Sequence, residues 1–216
     1  MEVLRFYPHN TRGTLITFCG LDGCGKTTMI NRLAKYLISC GKEVLITKQP
    51  TDNVRTSDIF RTFMDKEDHS AYSYRALSLS AAADRVQHTE KVVMPALESG
   101  KTVISDRYFY SCLANLRARG YLRDRWIYEI SEHIPAPDHA FFIDVPAEVA
   151  ISRVRLRPTE RNKYIDEALQ YRLREEYIAI CEKSSGTLLS GQCGEEETFA
   201  GILKNINAEK NVHNSI

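Results

Sequence analysis

Eight consecutive residues near the start of the chain have the composition of a phosphate-binding loop. Residues 20–27 read G-L-D-G-C-G-K-T and match the pattern G-x-x-x-x-G-K-[ST]. Glycines in such a loop let backbone N–H groups converge on phosphate oxygens, and the positive end of the following helix adds to that attraction. The pattern predicts that Lys26 contacts the outer phosphates of a nucleoside triphosphate and that the hydroxyl of Thr27 contacts magnesium.

The loop has the neighbours that this motif requires. Residues 15–19 predict a buried strand before it, and residues 26–40 predict a helix after it that Gly41 ends. We therefore expect ATP as a ligand. The positions expected to bind it are Gly20, Gly23, Cys24, Gly25, Lys26, Thr27 and Thr28.

Two later apolar runs end in aspartate, as the strand on the magnesium side of a P-loop protein does. Asp106 follows residues 102–105 and continues as D-R-Y, whereas Asp144 ends residues 141–144. We take Asp106 as the magnesium-side carboxylate, because the adjacent Arg107 suits an acceptor that is itself a phosphate. No N-K-x-D motif for guanine is present, so the sequence does not favour a GTPase.

The alternation of apolar runs with helical patterns predicts the fold. Strands are expected at residues 15–19, 44–47, 102–105, 141–144 and 187–189. Their uninterrupted apolar character indicates a sheet covered on both faces, so the expected class is α/β: a doubly wound parallel five-stranded sheet flanked by helices, of the P-loop NTPase type. Helices are expected near residues 26–40, 57–64, 71–99, 123–131, 147–155, 165–183 and 197–207, with a kink near Pro95.

Composition limits the classes of protein that the chain can represent. Its 216 residues suit a single domain, 1–216, with a tail from about residue 209 expected to fray. A net charge of +1 gives no basic field for nucleic acid, and no apolar stretch is long enough to cross a membrane. The six cysteines form no C-x-x-C pair, so zinc fits poorly and a reducing cytoplasm is the expected location.

Four segments, in this order, resemble the thymidylate kinase family, whose members phosphorylate dTMP with ATP. They are the phosphate loop with Asp22, T-K-Q-P at 47–50, A-D-R-V-Q-H at 83–88 and D-R-Y-F-Y-S at 106–111. The resemblance covers roughly residues 14–183. It implies a nucleoside monophosphate kinase that uses ATP and Mg²⁺, acts on a small nucleotide and can form a homodimer, without nucleic acid or membrane as a partner.

The resemblance also implies roles on the acceptor side. Arg107 would hold the acceptor phosphate, and Asp22 would organise the sugar 3′-hydroxyl, the magnesium and Arg107. Arg85 would hydrogen-bond the base edge. Lys48 stands where the family has arginine, so it keeps the charge but loses the bidentate fork. The remaining acceptor-side candidates are Ala81, Asp106, Ser111 and Asn115.

Residues 153–163 are rich in arginine, and the resemblance implies that they form a short lid over ATP. The phosphate loop has Gly23 where some family members have arginine, so the lid is expected to supply the catalytic arginine. Arg161 is the first choice and Arg157 the second. A cation that closes on the transferred phosphoryl group stabilises spread negative charge and excludes water. The alternative for either arginine is a solvated basic helix end.

Two positions depart from the family pattern. Ala81 stands where the family places an aromatic ring on thymine, and Asn115 stands where it places Tyr or Phe near the sugar 2′ carbon. A lost stacking ring removes roughly 1–3 kcal/mol of base affinity. Either another aromatic residue compensates, such as Phe109, Tyr110 or Tyr74, or the acceptor is not dTMP.

Three hypotheses follow from the sequence. The first is a kinase that converts dTMP to dTDP with ATP. The second is a kinase of the same fold whose acceptor is another nucleotide, including a ribonucleotide or modified nucleotide, or a nucleoside. The third is a nucleotide-binding regulatory protein that has lost turnover, which the complete phosphate loop, the D-R-Y segment and the arginine-rich segment argue against.

Overall fold

The computed structural model describes residues 2–162 and 164–213, with side chains up to residue 207. Its centre is a sheet of five strands: β1 Thr14–Cys19, β2 Val44–Lys48, β3 Thr102–Asp106, β4 His139–Asp144 and β5 Thr187–Ser190. Every strand pair is parallel, and the spatial order is β2-β3-β1-β4-β5. The predicted parallel, doubly wound α/β fold is therefore confirmed.

Helices connect the strands and cover the sheet. They are α1 Lys26–Ser39, α2 Asp52–Arg55, α3 Asp58–Asp65, α4 Tyr74–His88, α5 Met94–Glu98, α6 Phe109–Ala118, α7 Trp126–Ser131, α8 Ala147–Arg155, α9 Glu167–Lys183 and α10 Glu195–His213. Successive residues of β3, Val103 and Ile104, are both fully buried although their side chains point to opposite faces. Both faces of the sheet are thus covered at β3, which shows no alternation in burial, whereas the edge strands β2 and β5 do.

The connection between β3 and β4 contains a helix that the sequence analysis does not predict. In α6, Phe109–Ala118, eight of the ten residues are buried. The helix packs against α4 on one side and α9 on another. Because it is enclosed all round, its sequence has no amphipathic period, and period is the signal by which helices are recognised in sequence.

The long helix predicted for residues 71–99 is divided in the structure. α4 runs directly into a π-helical turn, Thr89–Val93, and then into α5. Pro95 lies in the first turn of α5, where its missing N–H costs little. The predicted kink near Pro95 therefore takes the form of a π-helical turn that begins six residues earlier, a feature that only the hydrogen-bond pattern reveals.

The last helix is longer than predicted. α10 begins at Glu195 and its backbone is helical to His213. Of the tail expected to fray, residues 209–213 belong to this helix and residues 214–216 lie outside the described residues. Within the part of the chain that is described, no helix has the length and apolar composition needed to cross a membrane.

Candidate active site

A cleft of about 640 Å³ lies at the carboxyl ends of the strands. The phosphate loop, the residues after β3, one side of α4 and α6, and the segment after α8 line it. Most sequence-predicted site residues border this cleft: Asp22, Gly23, Cys24, Gly25, Lys26, Thr27, Thr28, Lys48, Ala81, Arg85, Asp106, Arg107, Ser111, Asn115 and Arg157. Gly20 supports the loop from behind, and Arg161 lies outside the cleft lining.

Two glycines of the phosphate loop have no room for a side chain. Gly20 has a φ of 136°, and a Cβ there would collide with the carbonyl oxygen of Ile143. Gly23 has a φ of 87°, and a Cβ there would collide with the carbonyl oxygen of Ala150. The loop therefore needs glycine for both its turn and its close packing against β4 and α8.

The ammonium group of Lys26 lies inside the phosphate loop. It donates hydrogen bonds to the carbonyl oxygens of Gly20 (3.1 Å) and Leu21 (2.7 Å), and the residue is only 6% exposed. Thr27 and Thr28 follow on the first turn of α1 and are exposed to the cleft. A buried cation beside exposed hydroxyl and N–H groups is an arrangement that binds phosphate.

Arg107 connects the phosphate loop to the end of β3. Its backbone has a φ of 70°, unusual for a residue with a side chain, and its N–H donates to the carbonyl of Phe18 at 2.8 Å. Its guanidinium donates to Asp22 Oδ1 at 2.5 Å and to the Tyr177 hydroxyl at 2.9 Å. Such backbone strain is concentrated at functional sites, where it places a side chain that a relaxed backbone would not.

The charge on Arg107 is secure despite its burial. Burial alone would lower the pKa of this guanidinium, but the nearby Asp22, Tyr177 and Asp106 outweigh it and raise that pKa. Burial also raises the pKa of the Tyr177 phenol, which stays protonated and donates to Ser111 Oγ at 3.1 Å. The site thus presents a permanent cation whose orientation is fixed by neutral and anionic partners.

Lys48 and Asp106 complete the edge formed by β2 and β3. Lys48 Nζ lies 3.6 Å from Asp106 Oδ2, and the lysine side chain is 49% exposed. The other carboxylate oxygen, Oδ1, is buried and has no hydrogen-bond partner among the described residues. Asp144, the other aspartate that ends a strand, pairs through both oxygens with Arg174 at 2.7 and 2.8 Å. Asp106 is therefore the strand-end carboxylate with an oxygen left for a ligand.

Arg55 borders the same cleft and was not predicted from the sequence. It lies in α2, a four-residue helix within a stretch that reads as a loop. Burial and the neighbouring Arg107 lower the pKa of Arg55, while Asp22, Asp106 and Asp52 act in the opposite direction. Its position shortly after β2 could have indicated a role in the site, because loops that follow parallel strands meet at the ligand-binding edge of the sheet.

One face of α4 forms the far wall of the cleft. Tyr74, Ser78, Ala81 and Arg85 are spaced by one helical turn each and all line it. Arg85 is 3% exposed and donates from Nη1 to the Ala81 carbonyl at 2.8 Å. Its Nε–H is buried and has no partner among the described residues.

The facing helix, α6, contributes polar groups to the cleft. The Asn115 side-chain amide donates to the Ser111 carbonyl at 2.9 Å, and Ser111 itself is buried. Two of the aromatic residues expected to replace the missing ring do not line the cleft. Phe109 is fully buried, and Tyr110 packs against Phe6 and Phe142 with ring centroids 5.2 Å apart in each case. Only the third candidate, Tyr74, borders the cleft.

The arginine-rich segment formed by the last turn of α8 and the residues after it contains side chains in three different environments. Arg153 donates to the carbonyls of Gly23 (3.4 Å) and Gly191 (3.2 Å) and so braces the phosphate loop. Arg157 borders the cleft and pairs with Glu160 at 3.2 Å. Arg161 is exposed. Its guanidinium makes no hydrogen bond recorded with the described residues.

The residues present fit a magnesium ion held partly by nucleotide. Among the described residues, no three His, Cys, Asp or Glu side chains lie close enough together to hold a metal alone. The exposed hydroxyl of Thr27 and the unpartnered Oδ1 of Asp106 are hard oxygen donors at the cleft. Magnesium commonly takes one or two such protein ligands and completes its shell with phosphate and water.

The sequence is similar to one family over most of its length. The thymidylate kinase family model matches residues 18–200. A probable thymidylate kinase of Pyrococcus horikoshii is 41% identical over 175 residues, which are 79% of this chain and 84% of that protein. The thymidylate kinase of a Sulfurihydrogenibium species is 34% identical, over 81% of this chain and 86% of that protein. The thymidylate kinase of a Geobacillus species is 32% identical, over 82% of this chain and 87% of that protein.

Proposed function

The chain belongs to the thymidylate kinase family, and we propose that it transfers the terminal phosphoryl group of ATP to dTMP, giving ADP and dTDP. As a member of this family it is a nucleoside monophosphate kinase. The observation that carries this proposal is the Asp22–Arg107 ion pair. It joins the phosphate loop to the residue after β3, so a donor phosphate at Lys26 and an acceptor phosphate at Arg107 would share one cleft.

The reaction follows from the charges around the two phosphates. An oxygen of the acceptor phosphate attacks the terminal phosphorus of ATP, a new P–O bond forms, and the bond to the bridging oxygen of ADP breaks. The attacking phosphate is already an anion near neutral pH, so no general base is required to remove a proton from it. Because the two phosphates share one cleft, the transfer can be direct, without a covalent enzyme intermediate. Catalysis rests on holding the reactants in line and on neutralising negative charge.

The chain supplies cations on both sides of the transferred group. Lys26 neutralises charge on the donor phosphates, and Arg107 holds the acceptor phosphate with help from Lys48 and Arg55. The lowered pKa of Arg55 reflects burial next to another cation, and a bound phosphate dianion would relieve that repulsion. Asp22 keeps Arg107 oriented when no acceptor is present.

Magnesium bound with ATP would supply positive charge that offsets the negative charge developing during transfer. Thr27 and Asp106 are the residues that would hold it. We further propose that the chain works as one kinase domain, 1–216, in which residues 153–163 close over ATP and exclude water. Arg161 would then reach the transferred phosphoryl group. Its guanidinium has no ion-pair partner among the described residues, so its movement breaks no such contact, whereas Arg157 is paired with Glu160.

A second candidate function is the same transfer to a different acceptor. Ala81 and Asn115 favour it, because neither offers the ring that the family presents to thymine and deoxyribose. The phosphate chemistry would be unchanged, and only the base or sugar accepted would differ.

The test is an ADP-release assay with ATP and magnesium against a panel of acceptors: dTMP, dUMP, UMP, CMP, dCMP, AMP, GMP and thymidine. We expect the highest kcat/KM with dTMP. Turnover of another nucleotide with dTMP inert would favour the second candidate function. ATP hydrolysis that no acceptor stimulates would contradict both.

A further inference from the structure

The cleft extends beyond the residues assigned to the acceptor phosphate and sugar. Arg107 precedes α6, and Arg119 is the residue at which α6 ends. The ten-residue helix between them is about 15 Å long. A nucleotide that binds with its phosphate at Arg107 and runs along α6 would have its sugar alongside Asn115 and its base toward the Arg119 end, where residues of α4 also line the cleft.

A planar cation lies at this end of the cleft. The guanidinium carbon of Arg119 is 4.1 Å from the centre of the Tyr74 ring, and Tyr74 packs edge-on against Phe63 with centroids 5.1 Å apart. Arg119 also borders the cleft, and its Nε–H is buried without a hydrogen-bond partner among the described residues. The Arg119 guanidinium also lies 5.6 Å from the centre of the Phe63 ring, so both rings of this pair position the arginine at the border of the cleft.

Beside Leu77, two small side chains of α4 line the cleft between this cation and the base-edge residue Arg85. Ala81 and Ser78 lie between Tyr74 and Arg85 on α4, and Ser78 Oγ is 3.5 Å from Cys112 Sγ on α6. Because Ala81 carries only a methyl group, no ring from this position of α4 occupies the cleft between Arg85 and Arg119. A guanidinium stacks on aromatic faces as well as on nucleobases, so it can lie between a ring and a base.

We propose that Arg119, supported by Tyr74, provides the flat surface on which the acceptor base stacks, and that it is the residue that compensates for Ala81. This inference rests on the proposed kinase function. Arg119 thus determines affinity for the base and takes no part in phosphoryl transfer. The alternative is that Arg119 only stabilises the Phe63–Tyr74 cluster.

The test compares dTMP with an acceptor-like molecule that has no base, 2-deoxyribose 5-phosphate. The second compound is measured as an inhibitor of dTMP phosphorylation, so it need not be a substrate. For Arg119→Ala we expect the KM for dTMP to rise roughly tenfold, the order of one lost stacking contact, with kcat little changed. The inhibition constant of 2-deoxyribose 5-phosphate should stay as in the wild type.

Three further variants separate stacking from general destabilisation. Arg119→Lys keeps the charge without the plane and should raise the KM nearly as much as alanine. Arg117→Ala removes a pair with Glu176 (2.6 Å) on the same helix but away from the cleft lining, and should leave the KM for dTMP unchanged. Adding Ala81→Phe to Arg119→Ala should lower the KM again by supplying a ring from α4.

The inference is wrong if Arg119→Ala leaves the KM for dTMP unchanged, if it weakens the baseless inhibitor equally, or if lysine restores full affinity. If the wild-type enzyme phosphorylates another nucleotide but not dTMP, that result contradicts the proposed acceptor and leaves the role of Arg119 open to the same test. The same variants are then measured with that nucleotide and 2-deoxyribose 5-phosphate or ribose 5-phosphate, whichever matches its sugar, and the same outcomes decide the role of Arg119.

Discussion

The two ends of the cleft are built in different ways. At the phosphate end, the groups come from tight turns directly after strands, where backbone conformation and a few consecutive residues fix the geometry. At the base end, the groups are single side chains, one helical turn apart, on α4 and α6. The first arrangement is set by short stretches of sequence, whereas the second depends on how two helices pack.

The two ends also differ in the hydrogen bonds that their cationic side chains make. Lys26 and Arg107 donate to protein carbonyl, carboxylate and hydroxyl oxygens within hydrogen-bond distance. Arg85 and Arg119 each keep a buried Nε–H without a partner in the described part of the chain. A buried donor without a partner costs about 1–3 kcal/mol, so these donors favour a ligand that can accept from them. The phosphate end is thus prearranged, and the base end is completed by its ligand.

The largest effect is expected from the phosphate loop. Lys26→Ala should lower kcat roughly 1,000-fold or more with every acceptor, because it removes the cation that faces the donor phosphates. The ADP-release assay measures this for dTMP and for the next-best acceptor. The exposed Lys35, on the same helix, is the matched control, and Lys35→Ala should leave turnover unchanged. Substantial turnover by Lys26→Ala would contradict the role assigned to this lysine.

The next largest effect is expected from the segment proposed to close over ATP. Arg161→Ala should lower kcat roughly 100- to 1,000-fold, the range for the loss of one group that stabilises transition-state charge. Arg157→Ala should have a much smaller effect, since that arginine is held by Glu160. Single-turnover rates at saturating ATP and dTMP separate the chemical step from product release. A larger loss of kcat in Arg157→Ala would assign the catalytic role to Arg157 instead of Arg161. Unchanged kcat in both variants would show that both arginines are solvated surface residues.

A third prediction contrasts the two ends directly through Arg107. Arg107→Ala should raise the KM for dTMP strongly and reduce kcat, lowering kcat/KM on the order of 100-fold. Since Arg107 acts on the phosphate, binding of 2-deoxyribose 5-phosphate should weaken as much as that of dTMP. This is the opposite of the selective loss expected for Arg119→Ala. Equal behaviour of the two variants toward both compounds would remove the distinction between a phosphate end and a base end.

Short-range sequence signals were sufficient for the phosphate end and for the sheet. The loop at 20–27 and the D-R-Y segment combine a strand end with a required turn, so their positions follow from topology once the strands are recognised. The five apolar runs gave the strands to within two residues. The strand order was not predicted, although right-handed connections between parallel strands leave few arrangements.

The base end could not be read in this way. Tyr74, Phe109 and Tyr110 were equal candidates in sequence, and only the packing of α6 shows that two of them turn into the core. Arg119 lies at the end of that unpredicted helix and lacks any motif, and Arg55 lies in a helix of one turn. Both reach the cleft through tertiary packing, which neither hydrophobic period nor motif spacing encodes.

The smallest predicted effect concerns His88, which joins the two ends. It ends α4, and its Nε2 lies 2.6 Å from Thr47 Oγ1 on β2, the strand that leads to Lys48. Burial lowers the pKa of His88 from its ordinary value of 6.5, and Asp84 acts in the opposite direction. Well above pH 6.5 the imidazole is neutral in both the folded and the unfolded chain, so His88 adds no pH dependence there.

Below pH 6.5 the unfolded chain takes up a proton at His88 that the folded chain resists. The free energy of unfolding should therefore fall as the pH drops from 6.5 to the lowered pKa of the folded state. His88→Gln keeps a polar group near Thr47 but cannot titrate, so its loss of stability in this range should be smaller than that of the wild type. Urea unfolding at about pH 7.5 and about pH 5.5 measures the difference.

His133→Gln, which removes an exposed histidine, is the control and should follow the wild type. If protonation of His88 loosens α4 before the phosphate loop, acidification in this range should raise the KM for dTMP more in the wild type than in His88→Gln. The KM for ATP should change equally in both proteins, because Lys26 and Thr27 do not depend on α4. A parallel rise in both KM values would show instead that the two ends of the cleft respond to His88 as one unit.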